Sequence, residues 1–208
     1  MQVEAGKDDH ILPNILVTGV PGTGKSTLSS LLYAQLNESI NIKLGTAGIE
    51  YYKYVHVGEL IKANKLWKDY DEARQCTILD VDMVVDYLEP IVPRGGCVVD
   101  FHSSDIFPER YFDMVILLRC DNTVLYKRLE ARGYSQAKIT ENIDCEIHDV
   151  VKEEVYSSYR HDIILEANNE KESDMQVIMM QIFEALKKLD FMQKLEKKHV
   201  RFFLIVSL

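Results

Sequence analysis

Gly19-Val20-Pro21-Gly22-Thr23-Gly24-Lys25-Ser26 is the stretch from which the rest of the chain is read. Its spacing is G-x-x-x-x-G-K-S, in which glycines let the backbone turn tightly and bring its N–H groups close to phosphate oxygens. The flanks suit the pattern. The run from Ile11 to Thr18 is apolar and β-branched, as in a buried parallel strand. From Thr27 onward Leu28, Leu31, Leu32 and Leu36 recur at helical spacing. Strand, glycine loop and helix in that order turn a helix N-terminus toward a polyphosphate. Lys25 is then placed to reach the β- and γ-phosphates, and the Ser26 hydroxyl to meet Mg²⁺, which favours oxygen ligands. The expected ligand is a nucleoside triphosphate with magnesium.

The gross numbers limit what else the chain can be. Its 208 residues are enough for one α/β domain with a core of its own. A net charge of −9 argues against binding to bare nucleic acid, which needs a basic face, and no sequence-specific nucleic-acid contact is expected. The same charge allows a basic protein partner. Cys76, Cys97, Cys120 and Cys145 are scattered without a C-x-x-C pair, so they read as reduced thiols of an intracellular protein. The acidic, polar N-terminus lacks the regions of a signal peptide, and no apolar run is long enough for a membrane span.

Along the chain, residues 1–10 read as a loose arm and residues 11–190 as the domain. Residues 37–48 are polar and contain glycine, which predicts a surface loop. Tyr51 to Val57 predicts a second strand, with a helix starting at Gly58. Residues 64–80 show weak periodicity, as in a mobile segment. Asp80 is a candidate N-cap for a helix carrying Met83, Val84, Tyr87 and Leu88, which Pro90 and Pro93 end. Cys97-Val98-Val99-Asp100 is a short strand ending in an acid, and in a P-loop fold a carboxylate there helps to hold Mg²⁺. Residues 101–110 leave it as a loop, and Met114–Arg119 is the next buried strand. A helix over 122–132 packs Leu125 and Leu129, with Arg128 and Arg132 four apart on another face. One long helix is expected from Thr140 or Glu141 to about Tyr159. A short strand at Ile163–Leu165 and a loop over 166–171 follow, then an amphipathic helix over Met175–Leu189. Residues 191–208 form a tail with a basic run and the apolar tip Phe202-Phe203-Leu204-Ile205-Val206. Docking of that tip on the body is the first expectation, since burying five apolar side chains is worth several kcal/mol.

Several of these stretches resemble the adenylate kinase isoenzyme 6 family. They are the P-loop, Asp100-Phe101-His102, Phe107-Pro108-Glu109-Arg110, and Arg128-Leu129-Glu130-Ala131-Arg132-Gly133-Tyr134. Tyr70-Asp71-Glu72, Ile78-Leu79-Asp80, Val84-Val85-Asp86 and the run Asn142 to Ile147 match as well. The resemblance runs from about Pro13 to Lys171. It implies the P-loop nucleoside monophosphate kinase fold: a five-stranded parallel sheet with helices on both faces, a monophosphate-binding segment over 56–79 and a small lid over 131–141. It implies triphosphate contacts at Gly22, Thr23, Gly24, Lys25, Ser26 and Thr27, a lid arginine at Arg132, and Lys171 near the adenine. Asp100 and His102 match the Asp-x-His that this family has beside its magnesium. The chain departs from the pattern in a longer loop at about 37–50, in Lys62 and Met83 where arginines are usual, and in a lid without cysteines. A lysine cannot make an arginine's bidentate phosphate contact.

Two activities follow as expectations. The first is phosphoryl transfer from ATP to AMP giving two ADP, with Lys25, magnesium, Arg110 and Arg132 neutralising the transferring group and Asp100 and His102 beside it. The second, also implied by the resemblance, is an ATPase in nucleus and cytoplasm that works with a basic small-subunit ribosomal protein. A guanine-nucleotide switch is disfavoured, because no Asn-Lys-x-Asp is present.

Overall fold

The computed structural model of the chain describes residues 11–71 and 76–189. The expectations for the arm at 1–10, for the tail at 191–208 and for its apolar tip lie outside the described residues. In chain order the elements are β1 (Ile15–Thr18), α1 (Lys25–Leu44), β2 (Lys53–His56), α2 (Val57–Asn64), β3 (Trp67–Asp71), β4 (Cys76–Leu79), α3 (Val81–Leu88), β5 (Cys97–Asp100), β6 (Met114–Arg119), α4 (Asn122–Ala131), α5 (Gln136–Ile147), α6 (Val150–Ser158), β7 (Ile164–Asn168) and α7 (Glu172–Lys188).

Among the described residues, one sheet holds five parallel strands in the order β2-β5-β1-β6-β7. Strands buried on both faces need no polar alternation, and β1, β5 and most of β6 are continuous apolar runs. Their side chains still divide by the pleat. Leu16, Val99, Val115 and Leu117 enter one core with α2, α3 and α6, while Ile15, Val17, Val98, Ile116 and Leu118 enter the other with α1 and α7. Register then levels the carboxyl edge: Val17 lies opposite Asp100 and Ile116, and Asp100 lies opposite His56. Ligands of open α/β sheets bind at that edge, where the chain winds to either side of the first strand.

Four local expectations are corrected. The helix after the P-loop does not stop near residue 36; it runs on to Leu44 through the stretch read as a loop. Leu28, Leu32, Leu36 and Ile40 form one buried stripe along it. The asparagines that look loop-like are inward staples. Asn37 accepts from the N–H groups of Tyr51 and Tyr52 and donates to the Tyr52 carbonyl, and Asn41 donates to the Ile49 carbonyl. Gly45, in the left-handed region at φ 66°, ends the helix.

The aromatic stretch at 64–80, expected to be mobile, contributes β3 and β4, an antiparallel pair. Its period of two is hidden by an irregularity between Trp67 and Asp69, while Trp67 and Leu79 pack against the core. The expected long helix from residue 140 is two helices, broken at His148-Asp149. Ser135, not Thr140, caps α5 by accepting from Lys138 N–H. Asp149 takes a left-handed φ of 54°, and Arg119 at the end of β6 binds both Glu146 and Asp149, so the break is pinned by a mostly buried arginine. Finally, β7 extends to Asn168, absorbing residues read as loop, and α7 starts at Glu172, three residues before the expected Met175. Of the α3 face expected to pack, Val84 and Leu88 are buried while Met83 and Tyr87 are exposed. Asp80 caps that helix as expected, accepting from Met83 N–H.

Candidate active site

The P-loop leaves β1 and enters α1 at its carboxyl edge. Gly24 precedes α1 at φ 103° and offers no capping side chain, and no acid lies in the first turn. The first amides of α1 therefore keep their donors for an anion from outside. The loop itself is held from three sides. Thr23 Oγ1 donates to the Val20 carbonyl at 2.9 Å, and buried Asn169 donates to the Thr23 carbonyl at 2.7 Å. Arg128 reaches from α4 to the carbonyls of Asn169 and Glu170 at 2.8 and 3.0 Å, and more weakly to Gly22 at 3.4 Å. Its neighbour Arg132, at the end of α4, remains exposed. The two arginines singled out together in the sequence thus have different jobs.

Lys25 folds back over the loop and donates to the Gly19 and Val20 carbonyls at 2.8 and 3.2 Å. Burial lowers its pKa to about 8; Asp100 opposes that shift and Arg132 adds to it. The ammonium is still mostly protonated at neutral pH.

Asp100 is buried at the end of β5 and accepts from Tyr54 Oη at 3.1 Å. His56, ending β2, stands between it and Ser26: its Nε2 is 3.7 Å from Asp100 Oδ2 and 3.5 Å from Ser26 Oγ. Tyr54 is kept protonated, its pKa raised by burial first and by the Asp100 charge next. Ser26 and Asp100 thus both approach one nitrogen of the same imidazole. Among the described residues, no cluster of three or more His, Cys, Asp or Glu side chains could hold a metal. A hydroxyl, a carboxylate and an open helix N-terminus fit magnesium, which binds through one or two protein oxygens and completes its shell with phosphate and water.

His102 follows in the loop after β5, where its carbonyl accepts from Thr18 Oγ1. Its ring lies 4.5 Å from that of Phe101, and solvent reaches its other side. Desolvation lowers its pKa to about 4, the Lys25 charge adding and Asp100 opposing. It is neutral at physiological pH.

A cleft of about 950 Å³ brings Gly22, Gly24, Thr27, Arg128, Arg132 and Lys171 together. Its far wall is apolar, with Leu31, Met175 and Met179 from α1 and α7. Arg110 is not brought there. It follows β5 by ten residues and sits where the chain returns to the amino edge of the sheet. Asn14, which precedes β1, binds the Tyr111 carbonyl at 2.9 Å, and Arg110 itself pairs with Glu89 at 2.8 Å. Its guanidinium neutralises a surface carboxylate a strand's length from the P-loop. The sequence reading missed His56, Tyr54 and Asn169. Their only local signal is a polar residue at or near the end of a strand, the same signal that singled out Asp100.

A P-loop at the carboxyl edge of a five-stranded parallel sheet, facing a carboxylate across the next strand, defines a phosphotransferase of the P-loop nucleotide-kinase class. Comparison with known proteins narrows it. The profile of a family described as AAA domain matches residues 15–149. The adenylate kinase isoenzyme 6 homolog FAP7 of Saccharomyces cerevisiae is 42% identical over 163 residues, covering 78% of this chain and 76% of that protein. The adenylate kinase isoenzyme 6 homolog of Caenorhabditis elegans is 41% identical over 83% of this chain and 88% of its own length. That of Dictyostelium discoideum is 44% identical over 74% and 80%. Among solved structures, shikimate kinase from Bacteroides thetaiotaomicron aligns with a TM-score of 0.48 at 17% identity, over 84% of this chain and 98% of that one. The chain belongs to the adenylate kinase isoenzyme 6 family.

Proposed function

We propose that this enzyme transfers the γ-phosphoryl group of Mg·ATP to AMP or a related nucleoside monophosphate, and that it hydrolyses ATP as an accompanying activity. The observation that carries the reading is the uncapped start of α1, with Lys25 folded back over the P-loop and Asp100 opposite Val17 at the end of the neighbouring strand. The open amides and Lys25 bind the β- and γ-phosphates. Ser26 and Asp100 hold magnesium, directly or through water, and the bound ion neutralises phosphate charge. Thr27 and Lys171 line the nucleotide cleft, and its apolar wall receives the base. Residues 56–79 take the monophosphate and residues 131–141 act as a lid that brings Arg132 to the transferring group and excludes water.

The test is nucleotide analysis after incubation with ATP, with and without AMP. ADP that forms rapidly only with AMP supports transfer; phosphate release indifferent to AMP overturns it in favour of an ATPase. Replacing Arg132 with alanine is expected to slow transfer tenfold or more, as an order of magnitude for a transition-state contact, while ATP affinity changes little. Equal losses in both would make Arg132 a ground-state contact and end its lid role.

His102 is neutral, so it can accept a proton from an attacking water or orient that water. His102→Gly is expected to impair hydrolysis more than transfer, because transfer needs no activated water. Asp100→Asn should impair both. Equal losses of hydrolysis and transfer in the His102 variant would leave it a structural residue.

A second role rests on charge and family resemblance. The net charge of −9 suits a basic partner, and a small-subunit ribosomal protein in nucleus and cytoplasm is the proposed one. Stimulation of phosphate release by such a protein, lost at high salt, is the expected sign. No helix among the described residues is long and apolar enough to cross a membrane.

A further inference from the structure

One side chain joins the metal-orienting pair to the start of the monophosphate segment. We infer that His56 is a positioning residue for the divalent cation, its Nε2–H holding Ser26 and Asp100 in the orientation from which they take the magnesium of Mg·ATP. The inference rests on the reading of Ser26 and Asp100 given above, which does not itself include His56.

Three observations carry it. The ring's place is set by the sheet, because His56 is the last residue of β2 and lies directly opposite Asp100, the last of β5. Its orientation is set by α2, because Nδ1 accepts from Glu59 N–H at 3.2 Å as that helix's N-cap. An accepting Nδ1 carries no proton, so the ring proton of the neutral imidazole is on Nε2. That N–H faces Ser26 Oγ at 3.5 Å, the outer edge of hydrogen-bonding range, and Asp100 Oδ2 at 3.7 Å, just beyond it, and a small closure makes either bond. The two donors then meet on one side of the carboxylate. Tyr54 and His56 both approach Asp100 Oδ2, and Oδ1 takes no hydrogen bond among the described residues. Oδ1 is therefore the oxygen left to the cation or its water. A metal held by so few protein oxygens depends strongly on how each is oriented, and partners behind metal-orienting groups are worth about ten- to a hundredfold in metal affinity or activity.

The competing role is that of a helix cap alone, and one substitution separates the two. Asparagine keeps an acceptor where Nδ1 stands but has no atom that reaches where Nε2 stands, and it is a strong N-cap in its own right. The probe is Mn²⁺ binding to the full chain saturated with a non-hydrolysable ATP analogue, read by the electron spin resonance of free Mn²⁺. For His56→Asn we expect about a tenfold loss of Mn²⁺ affinity. Its analogue affinity in EDTA should stay within about twofold of wild type, and its melting temperature within about 2 °C, because the cap is kept. His56→Ala should show the same Mn²⁺ loss and also melt about 2–4 °C lower, because it gives up the cap. Unchanged Mn²⁺ affinity in His56→Asn overturns the inference, as does an equal loss of metal-free analogue affinity, which would place the effect on the P-loop. Asp100→Asn in the same assay separates the layers. If it binds Mn²⁺ normally, the metal-orienting reading itself fails; if it loses Mn²⁺ while His56→Asn does not, only the inference about His56 fails.

Discussion

Turnover should fall about a hundred- to a thousandfold when Lys25 is replaced by alanine, and the folded state should survive. The magnitude is that of one preorganised donor removed from charge developing in a transition state, about 2.7–4 kcal/mol. The charge lost is the one that the fold aims most deliberately. Burial works against the ammonium, lowering its pKa to about 8, yet the Gly19 and Val20 carbonyls hold it in place. Those two hydrogen bonds are confined to the loop, and the side chain lies outside both main cores, so a melting temperature close to wild type is expected. The measurement is phosphoryl transfer and ATP hydrolysis side by side with a thermal melt. Both activities should drop together, since both pass through the same charged γ-phosphoryl group. Turnover within threefold of wild type in a folded variant would remove the P-loop from the chemistry.

Gly19→Ala should cost stability. At φ 141° the residue sits where side-chain-bearing residues are rarely found, and a Cβ there would meet the Leu118 carbonyl oxygen at 2.4 Å. That oxygen cannot swing aside, because β6 is hydrogen-bonded between β1 and β7 and Leu118 is fully buried. The second neighbour, Thr23 Oγ1 at 3.0 Å, is tied to the Val20 carbonyl. Backbone strain and forced overpacking each cost about 1–3 kcal/mol, so about 2–6 kcal/mol is expected in sum. For a chain of this size that is a fall in melting temperature of about 4–24 °C. Gly133→Ala is the control: its φ is 74° but nothing lies within 4 Å of the added carbon, so only the backbone term remains. A Gly19→Ala variant that melts no lower than the Gly133 variant would show that the loop shifts freely away from β6.

Much of this protein is legible without coordinates wherever the signal is local. The P-loop carries its own strand and helix on either side. Cys97–Asp100 and Met114–Arg119 were delimited to the residue, because an apolar run between turn-forming residues reads the same in sequence and in space. Asp80 caps α3 for a reason contained within four residues. Of the residues that the family resemblance pointed to, Lys171 and Arg132 line one cleft with Gly22 and Gly24 of the P-loop and with Thr27.

What failed, failed where a polar residue answers to something distant in the chain. Asn37 and Asn41 look like loop residues because nothing local shows that their amides bind the backbone at 49–52. Asp149 breaks a helix because Arg119, thirty positions earlier, binds it. Arg110 carries a charge suited to phosphate and stands in a matching motif, but the chain has turned back to the amino edge of the sheet before reaching it, and its partner is Glu89. His56 carries no motif at all; it enters the site only because β2 pairs with β5 in the register that sets it beside Asp100. The sequence alone determined which loop binds phosphate and which strand ends in the acid, since both depend on residues adjacent in the chain. Strand order and register decided which side chains face that loop, because a parallel sheet brings together residues that the chain keeps dozens of positions apart.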